Sequence, residues 1–384
     1  MPQDSLTHAQ LGIPDSTSPE SALSGDVMMG RGVDQLLPWP SEPTICERYM
    51  NSAKEYVALA ECTNGPLPRS VEFLYPWGDA LAELNYRQPD LRVINLETSV
   101  TRCAMAEPKG INYRMSPENF PAVRDAQIDC CVLANNHVLD WGRPGLVETL
   151  ATTRSSGIAT AGAGLNMGQA SAPAVLSASG MDRRALVYAC AATDSGVPRA
   201  WLAGAKHPGI NLLPDLSAET ARRIGMQIAA VRRVGDVVIV SIHWGGNWGY
   251  AIPSSHRSFA HALVDEARVD LVHGHSSHHP KAIEIYRNRL ILYGCGDFIT
   301  DYEGITGYES FRDDLVLMYL PALRTTDGAL ARLTMVPFQI RNFRLNRTLP
   351  EDTRWLRDVL HRESNPFGGR VELDAVGALR FEWS

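Results

Sequence analysis

Val237-Val238-Ile239-Val240-Ser241-Ile242-His243-Trp244-Gly245 is an apolar strand that runs into an imidazole and then into a loop rich in glycine and tryptophan, Trp244 to Gly249. The same arrangement recurs along the chain. Leu23-Ser24 leads to Gly25-Asp26, Val93-Ile94 to Asn95-Leu96-Glu97, Cys130 to Ala134 to Asn135-Asn136-His137, and Val272-His273 to Gly274-His275-Ser276-Ser277-His278-His279. Strands that deliver carboxylate, amide and imidazole groups at their C-terminal ends describe a metal site assembled on an α/β sheet.

Around these runs the pattern alternates between strand and helix. Residues 92–96, 128–134, 185–192, 237–242 and 269–273 read as strands, and 79–86, 143–156, 217–233 and 254–268 as helices. Ser254-Ser255 is a cap candidate, and Gly142 with Pro144 suits the start of the helix at 143. Runs at 282–286 and 290–293 flank Arg287-Asn288-Arg289 as a hairpin, and more β-like sequence follows at 315–345. The fold class predicted is α/β, with one mixed sheet or two stacked mixed β-sheets flanked by helices. Residues 1–20 are polar and aperiodic and read as a disordered tail; 21–384 read as a single catalytic domain.

Composition narrows the function. Apolar residues make up 45% of the 384, enough for a large core, and 36 basic against 43 acidic residues leave a net charge of −7 without long runs. Neither a nucleic-acid footprint nor a polybasic membrane patch is visible. Seven cysteines, an odd number, include the adjacent apolar pair Cys130-Cys131 and suggest reduced usage. With no signal-peptide pattern and no apolar stretch of about 18 residues, the expectation is a cytoplasmic protein without a membrane partner. Nucleotide fingerprints are incomplete: Gly162-Ala163-Gly164 stands alone, and no GxxxxGK or CxxC occurs.

Several groups carry the chemistry. A period of two places Asn95 and Glu97 on one strand face, and a carboxylate buried there needs a cation or donors. Asn136 offers an amide oxygen, with His137 beside it as a proton carrier and Asp140 three residues on. Four histidines in seven positions, 273 to 279, make best sense neutral, two of them holding a metal. Cys295 and Asp297 lie close by in sequence. Trp244 and Trp248 offer flat contact to a substrate.

In this order, GDVMMGR, INLETS, ANNHVLDWG, HWG and the GH-x-x-H segment resemble the CapA-like family, named for capsule poly-γ-glutamate biosynthesis and related to the calcineurin-like metallophosphatases. The resemblance runs from about Ser24 to Phe298 and implies a four-layer sandwich. By position it implies Asp26, Glu97, Asn136, His243, His275 and His278 as ligands of divalent ions, two in number and drawn from Mn, Zn, Fe or Co, with His279 competing with His278. His137 becomes the proton donor or acceptor. Lys109, Tyr113 and Arg114 resemble a substrate-facing segment, and Arg31 offers a guanidinium to an anion. Two departures stand out. The phosphatase Asp-x-His opening is Asp26-Val27-Met28 here, and Glu97 replaces an Asp.

The preferred reading is a metal-dependent enzyme that epimerises a peptide Cα through a metal-stabilised enolate, with His137, His279, Asp297 and Asp26 as acid/base candidates. The alternatives are a metal-dependent phosphoesterase or amide hydrolase, and a poly-γ-glutamate capsule enzyme. The expected partner is a peptide or peptide-like substrate.

Overall fold

The computed structural model describes residues 18–45, 47–177 and 184–383. Seven strands carry the site: β1 (Ser21–Val27), β2 (Leu91–Leu96), β3 (Cys130–Val132), β4 (Arg184–Ala191), β5 (Val237–His243), β6 (Leu271–His275) and β7 (Asp297–Ile299). Eight strands of a ten-stranded sheet run in the order Gly369–Leu373, Leu379–Trp383, Leu330–Ile340, Leu315–Leu323, β1, β2, β3 and Ala159–Ala161, and the other two, Leu345–Arg347 and β7, pair with Leu330–Ile340 and β1. It is parallel from β1 onward and antiparallel on the other side. β7 pairs in parallel with the end of β1, where the partner on that flank changes from Tyr319 at Leu23 to Asp297 at Asp26.

A six-stranded sheet has the order Ile283–Tyr286, Arg289–Leu292, β6, β5, β4 and Ala174–Ser177. Its four central strands are parallel and its edges antiparallel. The two sheets stack. Ser21 and Leu91 of the first meet Ala185, Val237 and Ile239 of the second. On β5 the alternation sends Ile239 into the core between the sheets, while Val238, Val240 and Ile242 pack outward with Ile224, Ile228, Phe259 and Leu263 of helices Ala218–Val231 and Ser254–Asp265. β5 is therefore apolar from Val237 to Val240 and β6 at Leu271 and Val272, as strands covered on two faces must be, before each turns polar at its C-terminal end.

The α/β class and the stacked mixed sheets agree with the sequence reading, and its strands and helices are all present, mostly shifted at their ends. The run at 128–134 is a strand only over Cys130–Val132, because the chain then leaves the ladder to set Asn135. The hairpin turns on Arg287 and Asn288, both at positive φ (49° and 64°), a pair that matches the twist of its strands. Ser254 does not cap its helix: the cap position is Pro253, without a side-chain bond. Helices Ala53–Asn64 and Pro350–Ser364 had not been singled out. Most of the expected tail lies outside the described residues. Glu20, its last residue, is buried, with its backbone N–H on Asp90 (2.9 Å) and its carboxylate on Arg332 (3.0 Å). Among the described residues no helix is long and apolar enough to cross a membrane, and the described cysteines are free.

Gly25 makes the junction of β1 and β7 possible. The Asp26 N–H donates to the Gly296 carbonyl at 3.0 Å, and a Cβ on Gly25 would lie 1.6 Å from that same oxygen. Gly25→Ala should therefore cost about 3 kcal/mol or more. Gly246→Ala, where nothing lies within 4 Å, should change stability by no more than about 0.5 kcal/mol. Denaturant titrations of the two variants check this pair.

Candidate metal centre

Register brings the polar strand ends together. Asp26 lies between Asn95 of β2 and Asp297 of β7, and across the gap His243 of β5 pairs with His275 of β6. Asp26 is fully buried, as are Asp297 and His243, and Glu97 and His275 are 1% exposed. Asn95 ties two of the carboxylates: its Nδ2 donates to Asp26 Oδ1 and to Glu97 Oε2, both at 2.8 Å. Asn135 holds Asn95 in turn, through Nδ2 to Asn95 Oδ1 at 2.9 Å.

Two clusters share Asp26. In the first, Asp26, His243 and His275 offer ligand atoms within 4.8 Å of one another, and Glu97 Oε2 is 3.8 Å from His243 Nδ1. In the second, Asp26, His278 and Asp297 do the same, with His278 Nδ1 at 2.8 Å from Asp297 Oδ1. Tyr302 Oη lies 3.4 Å from His278 Nε2. His278, rather than His279, is the imidazole beside the carboxylates. The His279 ring is enclosed by Tyr250 (4.5 Å), Phe311 (4.7 Å) and Trp248 (6.2 Å).

Electrostatics match this crowding. Burial, then the charge of Asp297, holds the Asp26 carboxyl up at about 7, and burial followed by Asp26 pushes Glu97 well up. Burial also raises Asp297. His243 and His275 are driven well down, chiefly by burial and then by neighbouring imidazoles. For His278 burial acts downward, but the Asp297 carboxylate overcomes it and the net shift is upward.

The donor set suits a divalent cation. Three buried carboxylates with only the His278 imidazole against them are costly to ionise together, and a cation removes that cost. His243 Nε2, Asp297 Oδ2 and Asn136 Oδ1 are buried without a hydrogen-bond partner. Asp26, Glu97, Asn136, His243, His275, His278 and Asp297 are the residues that would hold such ions. Their mix of oxygen and imidazole nitrogen fits Mn, Fe, Co or Zn.

His137 borders the first cluster, its Nε2 4.0 Å from Glu97 Oε1. Its Nδ1 lies 2.6 Å from Asp140 Oδ2, and Lys109 Nζ contacts Asp140 Oδ1 (2.7 Å), His137 Nδ1 (3.2 Å) and the Asn136 carbonyl. Tyr113 packs edge-on against the His137 ring at 4.6 Å. Burial lowers His137 to about 4, so the ring is neutral near pH 7. Asp140 accepts from Nδ1–H and leaves the Nε2 lone pair toward the clusters.

Other expected substrate contacts fall elsewhere. Arg31 is engaged within the protein: its Nε and Nη2 bind Asp301 (2.8 and 2.6 Å), its Nη1 binds Glu47 (3.0 Å), and it lies over Tyr56 and Tyr113. Arg114 donates to the carbonyls of Cys103 and Glu42 and covers Trp141. Trp244 is 2% exposed, stacked on His256 at 4.6 Å, and its Nε1 is spent on the Tyr293 carbonyl. Trp248 is half-buried, stacked on Tyr308 at 3.9 Å and 5.3 Å from the His278 ring. Lys109 serves the His137–Asp140 pair.

Sequence reading passed over Asn95 as a bridge between carboxylates, although its alternation with Glu97 was visible. It also passed over Tyr302 and Asp313, brought in by a loop. The Asp313 carboxyl is lifted to about 7 by burial and then by Asp297.

These features define a CapA-like protein with a metallophosphatase-like fold. The chain belongs to the family described as bacterial capsule synthesis protein PGA_cap, which it matches over residues 21–302. It is 47% identical over 351 residues to a probable polyglutamine synthesis accessory protein of Mycobacterium tuberculosis, covering 91% of this chain and 92% of that protein. It is 26% identical over 300 residues to the PGA biosynthesis protein CapA of Bacillus subtilis, with 77% and 66% covered. The capsule biosynthesis protein CapA of Bacillus anthracis is also 26% identical, over 234 residues.

Two outcomes are expected at this site. His243→Ala and His275→Ala should each abolish stoichiometric metal binding, read by elemental analysis of the purified variants. Cation affinity should rise about tenfold or more per pH unit between pH 5 and 7, because Asp26 keeps its proton up to about 7 in the cation-free protein and must release it to bind. Competition with a chelating dye across that range measures the slope; a flat profile contradicts the assignment of Asp26.

Proposed function

We propose that this chain is a divalent-metal-dependent acid/base enzyme that hydrolyses amide bonds of a polyglutamate-type chain. One observation carries the reading: two clusters share the buried carboxylate Asp26, and a single oriented imidazole, His137, stands beside them. A divalent cation held there supplies Lewis-acid polarisation of the substrate carbonyl. The M. tuberculosis relative is named for polyglutamine synthesis and the B. subtilis relative for PGA biosynthesis; the polyglutamate class follows the capsule poly-γ-glutamate family that the strand-end motifs resemble.

The protein's own groups account for the proton transfers. His137 is neutral near pH 7 and presents Nε2 as a base to the water that adds to the amide carbonyl carbon, and Asp140 fixes that tautomer and stabilises the imidazolium until the C–N bond breaks. The same Nε2–H then returns the proton to a leaving amine. Lys109 holds Asp140 in place. Buried walls keep Asp26, Glu97 and Asp297 out of bulk water, which strengthens every charge interaction in the pocket.

Epimerisation asks for a second proton carrier on the opposite face of the substrate. His279, expected in that role, lies in its aromatic enclosure with Nδ1 3.1 Å from the Pro280 carbonyl. The arrangement therefore favours chemistry with one proton carrier.

The test uses the full chain, stripped of metal and reloaded separately with Mn, Fe, Co and Zn. Poly-γ-glutamate and poly-α-glutamate oligomers are supplied in deuterated water, and new amino termini and Cα deuterium are both measured. New termini that vanish with chelator are expected. His137→Ala should lower kcat by about 10²- to 10⁴-fold while metal content is retained. Cα deuterium without chain shortening would instead establish the epimerase, and neither signal with any metal would remove the polyglutamate assignment.

A further inference from the structure

Ser241 and His273 lie outside the clusters, yet they share the inner face of β5 and β6 with His243 and His275. Ser241 pairs with His273 in the parallel ladder, and His243 with His275 two residues on. All four side chains point between the sheets, and Ser241 and His273 are fully buried. His273 Nε2 lies 2.9 Å from the Ser24 carbonyl, His273 Nδ1 3.1 Å from Ser241 Oγ, and His275 Nε2 2.8 Å from that same hydroxyl.

Hydrogen bookkeeping along this chain has one solution. A carbonyl only accepts, so His273 Nε2 carries a proton. The buried His273 ring contacts a carbonyl and a hydroxyl and no carboxylate, so it is neutral, and its Nδ1 is an acceptor. The single Ser241 proton is then donated to His273 Nδ1. Ser241 Oγ is left to accept from His275, which requires His275 Nε2–H. A neutral His275 therefore has its lone pair on Nδ1, the nitrogen 3.8 Å from Asp26 Oδ1 and 2.8 Å from His243 Nδ1.

We propose that Ser24, His273 and Ser241 form a positioning relay that locks His275 in the Nε2–H tautomer, so that its Nδ1 lone pair is aimed at the cation site before any cation arrives. The relay starts on β1, two residues from Asp26, and ends on β6. It thus ties the ligand of one sheet to the strand that carries the ligand of the other. Partners of this kind raise the affinity of a metal-binding imidazole by fixing its ring and tautomer. The affinity consequence rests on the proposed cation; the tautomer does not.

Two measurements on the full chain test it. Ring-nitrogen ¹⁵N NMR of the metal-free protein, with His275 assigned by loss of its signals in His275→Gln, should show Nδ1 unprotonated and Nε2 protonated. Ser241→Ala should weaken Mn or Zn binding by about 10- to 100-fold with near-UV circular dichroism unchanged, and Ser241→Thr, which keeps the hydroxyl, should recover most of it. An Nδ1–H signal on His275, or a folded Ser241→Ala variant with unchanged affinity, overturns the relay. If Ser241→Ala fails to fold, the wild-type ring-nitrogen spectrum decides alone. A wild-type protein that binds no cation would refute the proposed function, while the spectrum would still judge the relay.

Discussion

Asp26, Glu97 and Asp297 occupy one buried pocket, and the repulsion among these carboxylates is the constraint around which the site is organised. Burial raises the cost of ionising each, and each charge raises the cost of the next. The structure answers in two ways. Asn95 donates one N–H to each of two carboxylates, and His278 faces the third. What is left uncompensated is a cavity of oxygen and nitrogen lone pairs suited to divalent cations.

That constraint also explains why the histidines here differ in role. Burial and neighbouring imidazoles hold His243 and His275 down although Glu97 and Asp26 lie 3.8 Å away, which suits both rings to be ligands. His278 is drawn the other way by Asp297. His137 is neutral yet tied to Asp140, and so can take up and return a proton. In the proposed function, four imidazoles of one chemical type divide into ligands and a proton carrier through their neighbours alone.

Much of the fold and most of the cluster were legible in the chain itself. Apolar runs ending in Asp26, Glu97, His243 and His275 mark strand ends, and parallel neighbours align such ends by necessity. The alternation that pairs Asn95 with Glu97 also pairs Ser241 with His243 and His273 with His275, so the relay was written in the same period of two. Arg31 and Trp244 illustrate the opposite case. Nothing in their local sequence announces that Asp301 and Glu47 engage the Arg31 guanidinium, or that Trp244 stacks on His256 and donates to the Tyr293 carbonyl. His278 and His279 are adjacent, and only the turn after β6 decides which ring faces the carboxylates.

Local alternation and strand-end chemistry determined by themselves the α/β layering, the inward faces and the residue types that meet. They could do so because side-chain direction in a strand depends on parity alone. Tertiary structure decided the rest: that Asp26 serves two clusters, that Asp297 stands with His278, and that Ser24 of one sheet sets a tautomer in the other. Those outcomes depend on how two sheets stack and where loops return, and such distances are set by packing between segments far apart in the chain.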